Sequence, residues 1–311
     1  MLPYVLRRLL WTPVVLLLVS LFTFTLGRYG PGDPAQVLMG FHTDPGVVER
    51  IRQHRGLDAP FWEQYGRYLW QTLHGDMGDS YVHPGQSVSD LIGRRLWVSA
   101  QLGLLASTVG LLVGVPLGMV AASKRGTWWD TGTIAGSLLL YSVPALVLAP
   151  ALQILLAVKL DWLPPGGWGG IADTRIVMPA LVLAIPTVAV LARLTRASTL
   201  DALTRDYVRT ARAKGLPGLP ILARHVAPNA LLPVVTVAGL SLAAILEGAF
   251  VTETVFGIPG VGRLMVQSLF ARDYPVIMAM ALLLAAAFVL ANLVVDVVHA
   301  YLDPRIRHRY Q

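Results

Sequence analysis

The residues of this chain able to do chemistry are few, and the most concentrated of them read DALTRDYVRTARAKGLPGLPILARHVAP over 201–228. Asp206 opens a helix-compatible stretch. Arg209, Arg212 and Lys214 fall late in it, where cations complement the negative end of a helix dipole. Gly215 suits a left-handed stop, and Pro217 blocks continuation. Tyr207, Ala211 and Gly215 stand four apart, which predicts a face carrying one aromatic ring and then almost no side chain, onto which another surface can close. Residue types alone allow two readings, a short helix held by anionic lipid headgroups or a docking element for a protein.

The second group is acidic. Glu247 falls deep in an apolar run and Asp296 near the end of another, and an ionisable group at such depth serves either a substrate path or a structural hydrogen bond. Glu247 and Glu253 are the candidates for a substrate path, whereas Asp296 is assigned a structural partner. Arg272 and Asp273 lie in the same segment as Glu253, after glycine-rich turns at 257–262 that permit tight bends and an outer gate.

Other chemistries are excluded by what the chain lacks. It has no Gly-Lys-Ser or Gly-Lys-Thr, so no phosphate cradle for ATP, no His-Glu-x-x-His and no Gly-x-Ser-x-Gly. Cys is absent, which removes thiolate catalysis and Cys-based metal sites. His42, His54, His74 and His83 are scattered through one stretch and predict no metal site.

The elements that must position these groups are membrane spans. Of 311 residues, 55% are hydrophobic and only 14% charged, a departure from soluble averages in both directions. Six runs are each long enough to cross a hydrocarbon core of ~30 Å, near Leu9–Gly27, Leu96–Ala122, Ile134–Val158, Ile176–Ala197, Ala230–Phe250 and Val276–His299. The expected fold is all-α and polytopic. The first run is too long for a secretory signal core and no small-x-small cleavage site follows it, so a retained signal anchor is expected.

The net charge of +7 is explained by topology. With the N-terminus inside, Arg7 and Arg8, the stretches 123–130 and 198–229, and Arg305, Arg307 and Arg309 all become cytoplasmic. Only Lys159 and Arg175, and Arg263 and Arg272, occupy the short outer connections. Both termini are then cytoplasmic, and the basic excess meets anionic lipid; no nucleic acid is implied.

Three regions follow: 1–27, an arm and first span; 28–95, an outer helical insertion; and 96–311, a core of five spans. In the insertion, Asp44 and Pro45 predict one helix start and Asp58 and Pro60 another, with Gly56 and Gly75 as stops. Phe61, Tyr65, Tyr68 and Leu69 recur at helical spacing, as a packing face or a docking surface. In the second span Ala106, Gly110, Gly114, Gly118 and Ala122 fall at every fourth position, a face for close helix packing. Pro116, Pro144, Pro150, Pro179, Pro186 and Pro233 interrupt several spans.

In combination these features resemble the permease subunits of bacterial ATP-binding cassette importers, specifically the B-type subunit of the dipeptide, oligopeptide and nickel family. That family's loop motif is Glu-Ala-Ala, three residues, Gly, nine residues, Ile, one residue, Leu-Pro. Aligned on Gly215, the positions Ala211, Gly215 and Pro228 match, while Arg209, Thr210, His225 and Ala227 depart; the peptide branch is similar in using RTARAKG here. PGDP at 31–34, GLDAPFWEQYGRYL at 56–69, GDMGDS at 75–80, GAFVTETVFGIPGVGRLMVQSLFARDYPVIMA at 248–279 and NLVVDVVHAYLDPRIRHR at 292–309 carry the resemblance along the chain.

The resemblance implies the type I importer permease fold in the bacterial inner membrane. It implies no cofactor in this chain, with ATP and Mg held by two ATPase subunits. It also implies a homologous second permease, paired through faces such as that of the second span, and an extracytoplasmic substrate-binding protein. Asp206, Tyr207, Arg209, Ala211, Arg212, Lys214 and Gly215 would form the coupling element against an ATPase, and Glu247 would meet a peptide's amino group. Nickel or another small solute is the alternative cargo. An ion-coupled secondary transporter using Glu247 and Asp296 would require an internal repeat, and none is evident.

Overall fold

Backbone polar groups cannot stay unpaired in hydrocarbon, so apolar runs of this length must close their hydrogen bonds within helices. The computed structural model describes residues 2–30, 46 and 58–302, and the side chains of 10–30, 46, 58–239 and 249–295. Among the described residues there is no strand, only an isolated antiparallel bridge between Asp79 and Ser87.

The described helices are α1 (Leu2–Tyr29), α2 (Phe61–Leu73), α3 (Val88–Ser123), α4 (Trp128–Ser142) and α5 (Ala145–Leu152), which runs on into a π turn over Gln153–Lys159. They continue with α6 (Val177–Leu203), α7 (Asp206–Ala213), α8 (Gly218–Ala230), α9 (Leu232–Phe256), α10 (Val261–Ala271) and α11 (Tyr274–Leu302). Among these, α1, α3, α6 and α11 are unbroken helices long and apolar enough to cross a membrane. Three further crossings are available only if bent pairs count as spans.

The expected third span, Ile134–Val158, is not one straight helix. Its halves α4 and α5 meet at 97°. Val143 is held extended at ψ 115° before Pro144, because a proline ring disfavours helical backbone in the residue preceding it. A second sharp turn of 87° separates the end of α9 from α10. The helix α3 starts at Val88, seven residues before the expected boundary at 95, and Val88, Leu91 and Ile92 join a buried cluster with Val261, Leu264, Val276 and Met280 of α10 and α11.

In the outer insertion, α2 begins with Pro60 in the capping position, and Asp58 makes no cap. Gly75 does take the left-handed conformation, at φ 81°. Apart from Gly46, the helix expected from Asp44 and Pro45 to Gly56 lies outside the described residues, as does the tail with Arg305, Arg307 and Arg309. Phe61, Tyr65 and Tyr68 turn towards α1, where their rings surround Phe24 at centroid distances of 5.3–5.5 Å. They form a packing face.

The small-residue face of α3 is buried along its whole length, and its partner is α6 of the same chain. A side chain at Gly110 would strike Thr187, at Gly114 the carbonyl of Val188 and Leu191, and at Gly118 the carbonyl of Ala192 and Thr195. Ala106 packs with Ala184. The expectation that this face pairs with a second subunit is therefore corrected: it is already used to bring α3 and α6 backbone to backbone.

Gly118→Leu should cost about 3 kcal/mol or more, the upper end of overpacking effects, because the obstruction is backbone. Gly132→Leu, at a position with open space around it, is the control. Thermal unfolding in detergent checks this, with a marked drop expected for the first and little change for the second.

Candidate functional site

The basic loop forms a two-helix unit at one end of the bundle. Alpha-helical turns continue from α6 to Leu203, then Thr204 and Arg205 make the corner into α7. Asp206 lies in the first turn of α7 and Arg212 in its last, both favourable to the helix dipole. Lys214 caps the helix, and Gly215 reverses the chain at φ 76°, a conformation that any side chain would strain.

Within this unit, Val208 and Ala211 point inwards. They are 0% and 5% exposed and pack with Ala202 of α6 and with Ile221, Val226 and Ala230 of α8. Asp206, Tyr207, Arg209, Arg212, Lys214 and Gly215 are exposed. The expected open face of Tyr207, Ala211 and Gly215 is therefore not formed. Ala211 serves the inner seam, and the helix ends before Gly215, so their spacing of four does not superpose them. The outward surface of α7 consists of the aromatic ring and the cations. Leu216 and Leu219 extend it with exposed apolar surface, at 41% and 76% exposure.

A cleft of about 320 Å³ lined by Ser123, Leu203, Arg212, Leu219 and Leu222 sets this loop beside the end of α3. The basic stretches 123–130 and 198–229 thus share one end of the molecule. Nearby, Arg196 of α6 grips Asp130 of α4 with both arms of its guanidinium, Nη2 to Oδ2 at 3.0 Å and Nε to Oδ1. The amide of Gly126 donates to the same carboxylate at 3.0 Å. Sequence reasoning missed this bidentate pair; the signal was an Arg inside one span and an acid at the start of another. Arg193, one turn earlier, lies 5.4 Å from the ring centre of Tyr141, a cation on an aromatic face.

The opposite end is held by two buried carboxylates. Glu253, 0% exposed, sits in the last turns of α9 beside the start of α10. Its Oε2 accepts the amide of Arg263 at 2.9 Å and its carboxylate also accepts the amide of Gly262. Ser99 of α3 donates to Oε1 and accepts the amide of Val261 at 2.9 Å. These are the first N–H groups of α10, which lack partners within the helix. Gly260, in the capping position, has no side chain to satisfy them, and one there would collide with Glu253. Glu253 therefore acts as the tertiary N-cap of α10, fully buried in this chain.

Asp273, 1% exposed, does parallel work. It accepts the Ser80 hydroxyl and, at 3.0 Å, the amide of Tyr81, joining GDMGDS to the turn between α10 and α11. The backbone of Glu247 belongs to α9 and that of Asp296 to α11, but both side chains lie outside those described.

This geometry can now be set beside known proteins. Residues 114–308 match the family model described as binding-protein-dependent transport system inner membrane component, and residues 1–96 match the N-terminal model of such membrane components. The chain belongs to this family. It is 40% identical over 310 residues, 98% of each chain, to a protein of Brucella abortus (strain 2308) named as a peptide transport system permease. To the oligopeptide transport system permease protein OppB of Escherichia coli (strain K12) it is 38% identical over 309 residues, 99% of this chain and 100% of that one. Among solved structures, the inward-facing MetNI methionine ABC transporter superposes with a TM-score of 0.58 over 68% of this chain and 96% of that one, at 18% identity, a likeness of fold. The permease thus has the type I importer fold.

For this permease, Glu253→Ala should lower stability by on the order of 3 kcal/mol, since it leaves amides of α10 and the Ser99 hydroxyl buried without their acceptor. Glu253→Gln should cost less, because its amide oxygen still accepts. Thermal unfolding of the purified permease checks this; an unperturbed Glu253→Ala protein would refute the capping role.

Proposed function

We propose that this chain is one of two homologous permease subunits of an ATP-driven importer for dipeptides or oligopeptides. It lies in the inner membrane with both termini cytoplasmic and forms half of a six-plus-six-span translocation path. Names borne by the full-length relatives support the peptide cargo; nickel or another small solute is the alternative. Two ATPase subunits bind ATP and Mg, and the permease has no nucleotide site of its own. An extracytoplasmic binding protein delivers the cargo.

The observation that carries this reading is the construction of α7. Its inner seam of Val208 and Ala211 packs on Ala202 at the end of α6 and on Ile221, Val226 and Ala230 of α8, so a push on α7 is passed to both helices. The α6 helix is in turn locked to α3 through the glycine face and to α4 through Asp130 and Arg196. An ATPase groove that receives Tyr207 between acidic rims matched to Arg209, Arg212 and Lys214 would therefore displace α3, α4 and α6 as one body. Closure of two ATPases on ATP draws two such bodies together on the cytoplasmic side and opens the path outwards. Hydrolysis and release reverse it.

Tyr207→Asp places a charge on the outward surface and leaves the inner seam intact. The variant should insert normally, lose the co-purifying ATPase and abolish uptake; ATPase recovery and uptake at wild-type levels would exclude α7 as the coupling element. Cargo is tested with the assembled transporter in liposomes. ATP-dependent accumulation of a labelled tripeptide is expected, and accumulation of nickel without peptide would move the permease to the alternative.

A further inference from the structure

The helix α2 has three faces. At about 100° per residue, Phe61, Tyr65, Tyr68 and Thr72 form one, and this rests on α1. Glu63, Arg67, Gln71 and His74 form the second, exposed and polar, with an ion pair of 3.2 Å between Glu63 and Arg67. Trp62, Trp70 and Leu73 belong to the third. They are 69%, 67% and 81% exposed, a large apolar surface for a helix with so polar an edge.

The depth of α2 shows what covers that surface. Tyr65 donates its hydroxyl to the carbonyl of Leu17 at 3.2 Å and lies 2.9 Å from the Ser20 hydroxyl. Leu17 stands about 18 Å below Tyr29 along α1, within the apolar stretch Leu10–Tyr29. Phe61 at the start of α2 stacks on Tyr29 at 6.2 Å while the Tyr65 side chain reaches down to Leu17, so α2 lies beside the outer end of α1 with its inner face inside the apolar stretch and cannot stand clear of the bilayer in water. Beside the contact, Leu17 remains 49% exposed, and Leu18 and Phe22 of α1 are 62% and 65% exposed, so lipid-facing surface borders α2 directly.

We propose that α2 is an interfacial helix embedded in the leaflet at the C-terminal end of α1, with Trp62, Trp70 and Leu73 in the boundary between acyl chains and headgroups and Glu63, Arg67, Gln71 and His74 facing water. Tryptophan favours this boundary, and a polar edge opposite an apolar stripe is the pattern of helices that lie in the membrane plane. The embedded helix anchors the segment between α1 and α3 to the membrane surface and fixes its height for whatever delivers cargo there. The inference rests on α1 crossing the bilayer, as the proposed function has it.

The native chain has no cysteine, which permits single-site spin labels in the assembled importer in lipid nanodiscs. Labels at Trp62→Cys, Trp70→Cys and Leu73→Cys should be relaxed by dissolved oxygen in preference to a water-soluble nickel chelate. Gln71→Cys should show the reverse, and Phe22→Cys on α1 should report lipid. Nickel access at the three stripe positions, with Phe22→Cys still in lipid, would overturn the proposal by placing α2 in water. Protection from both reagents would overturn it by showing a protein covering the stripe. Nickel access at Phe22→Cys as well would overturn the membrane placement of α1 and the proposal with it.

Discussion

Everything in this permease depends on how closely α3 and α6 approach. In lipid, apolar side chains gain nothing by leaving the solvent, so helices associate through packing contacts and hydrogen bonds. The row from Ala106 to Ala122 removes side chains from one face of α3, and the carbonyls of Val188 and Ala192 on α6 occupy the space. That contact turns two helices into one body. It also consumes the face, so the second subunit must be met elsewhere.

Charges then fasten the remaining elements to that body. Asp130 and Arg196 attach α4 to α6 near the basic end. At the other end Glu253 supplies the acceptors that the start of α10 lacks, and Asp273 holds the turn before α11 to Ser80 and Tyr81. Each carboxylate accepts several hydrogen bonds, which offsets the cost of burying it. The result is a bundle tied together at both ends, with α7 held to its basic end by a small apolar seam.

The pattern of apolar runs made the long helices legible, and their overruns, such as Val88 to Leu96 in α3 or Ala197 to Leu203 in α6, are ends where polar residues continue a helix beyond the apolar stretch. The bend at Pro144 was not foreseen as a right angle because a proline in a span permits anything from a slight kink to a full break. The spacing of Tyr207, Ala211 and Gly215 suggested one shared face, yet which side of a short helix turns inwards is decided by Ala202, Ile221 and Val226, residues from neighbouring helices. Glu253 reads as a path candidate because an acid just past the predicted fifth span and beside glycine-rich turns is visible in one dimension. Its partners, Ser99 and the amide of Arg263, come together only in three.

The central claim is that α7, α6 and α3 move as a unit when the ATPases close. We would measure it by pulsed electron resonance between spin labels at Ala213→Cys in the last turn of α7 and Trp97→Cys near the far end of α3, in assembled importer that retains uptake, with and without ATP. The account predicts the same distance distribution in both states within this chain, while a label at Ala213→Cys and one on the loop of the second permease approach each other on ATP binding. A shift in the distance within this chain, comparable to that between the two permeases, would contradict it.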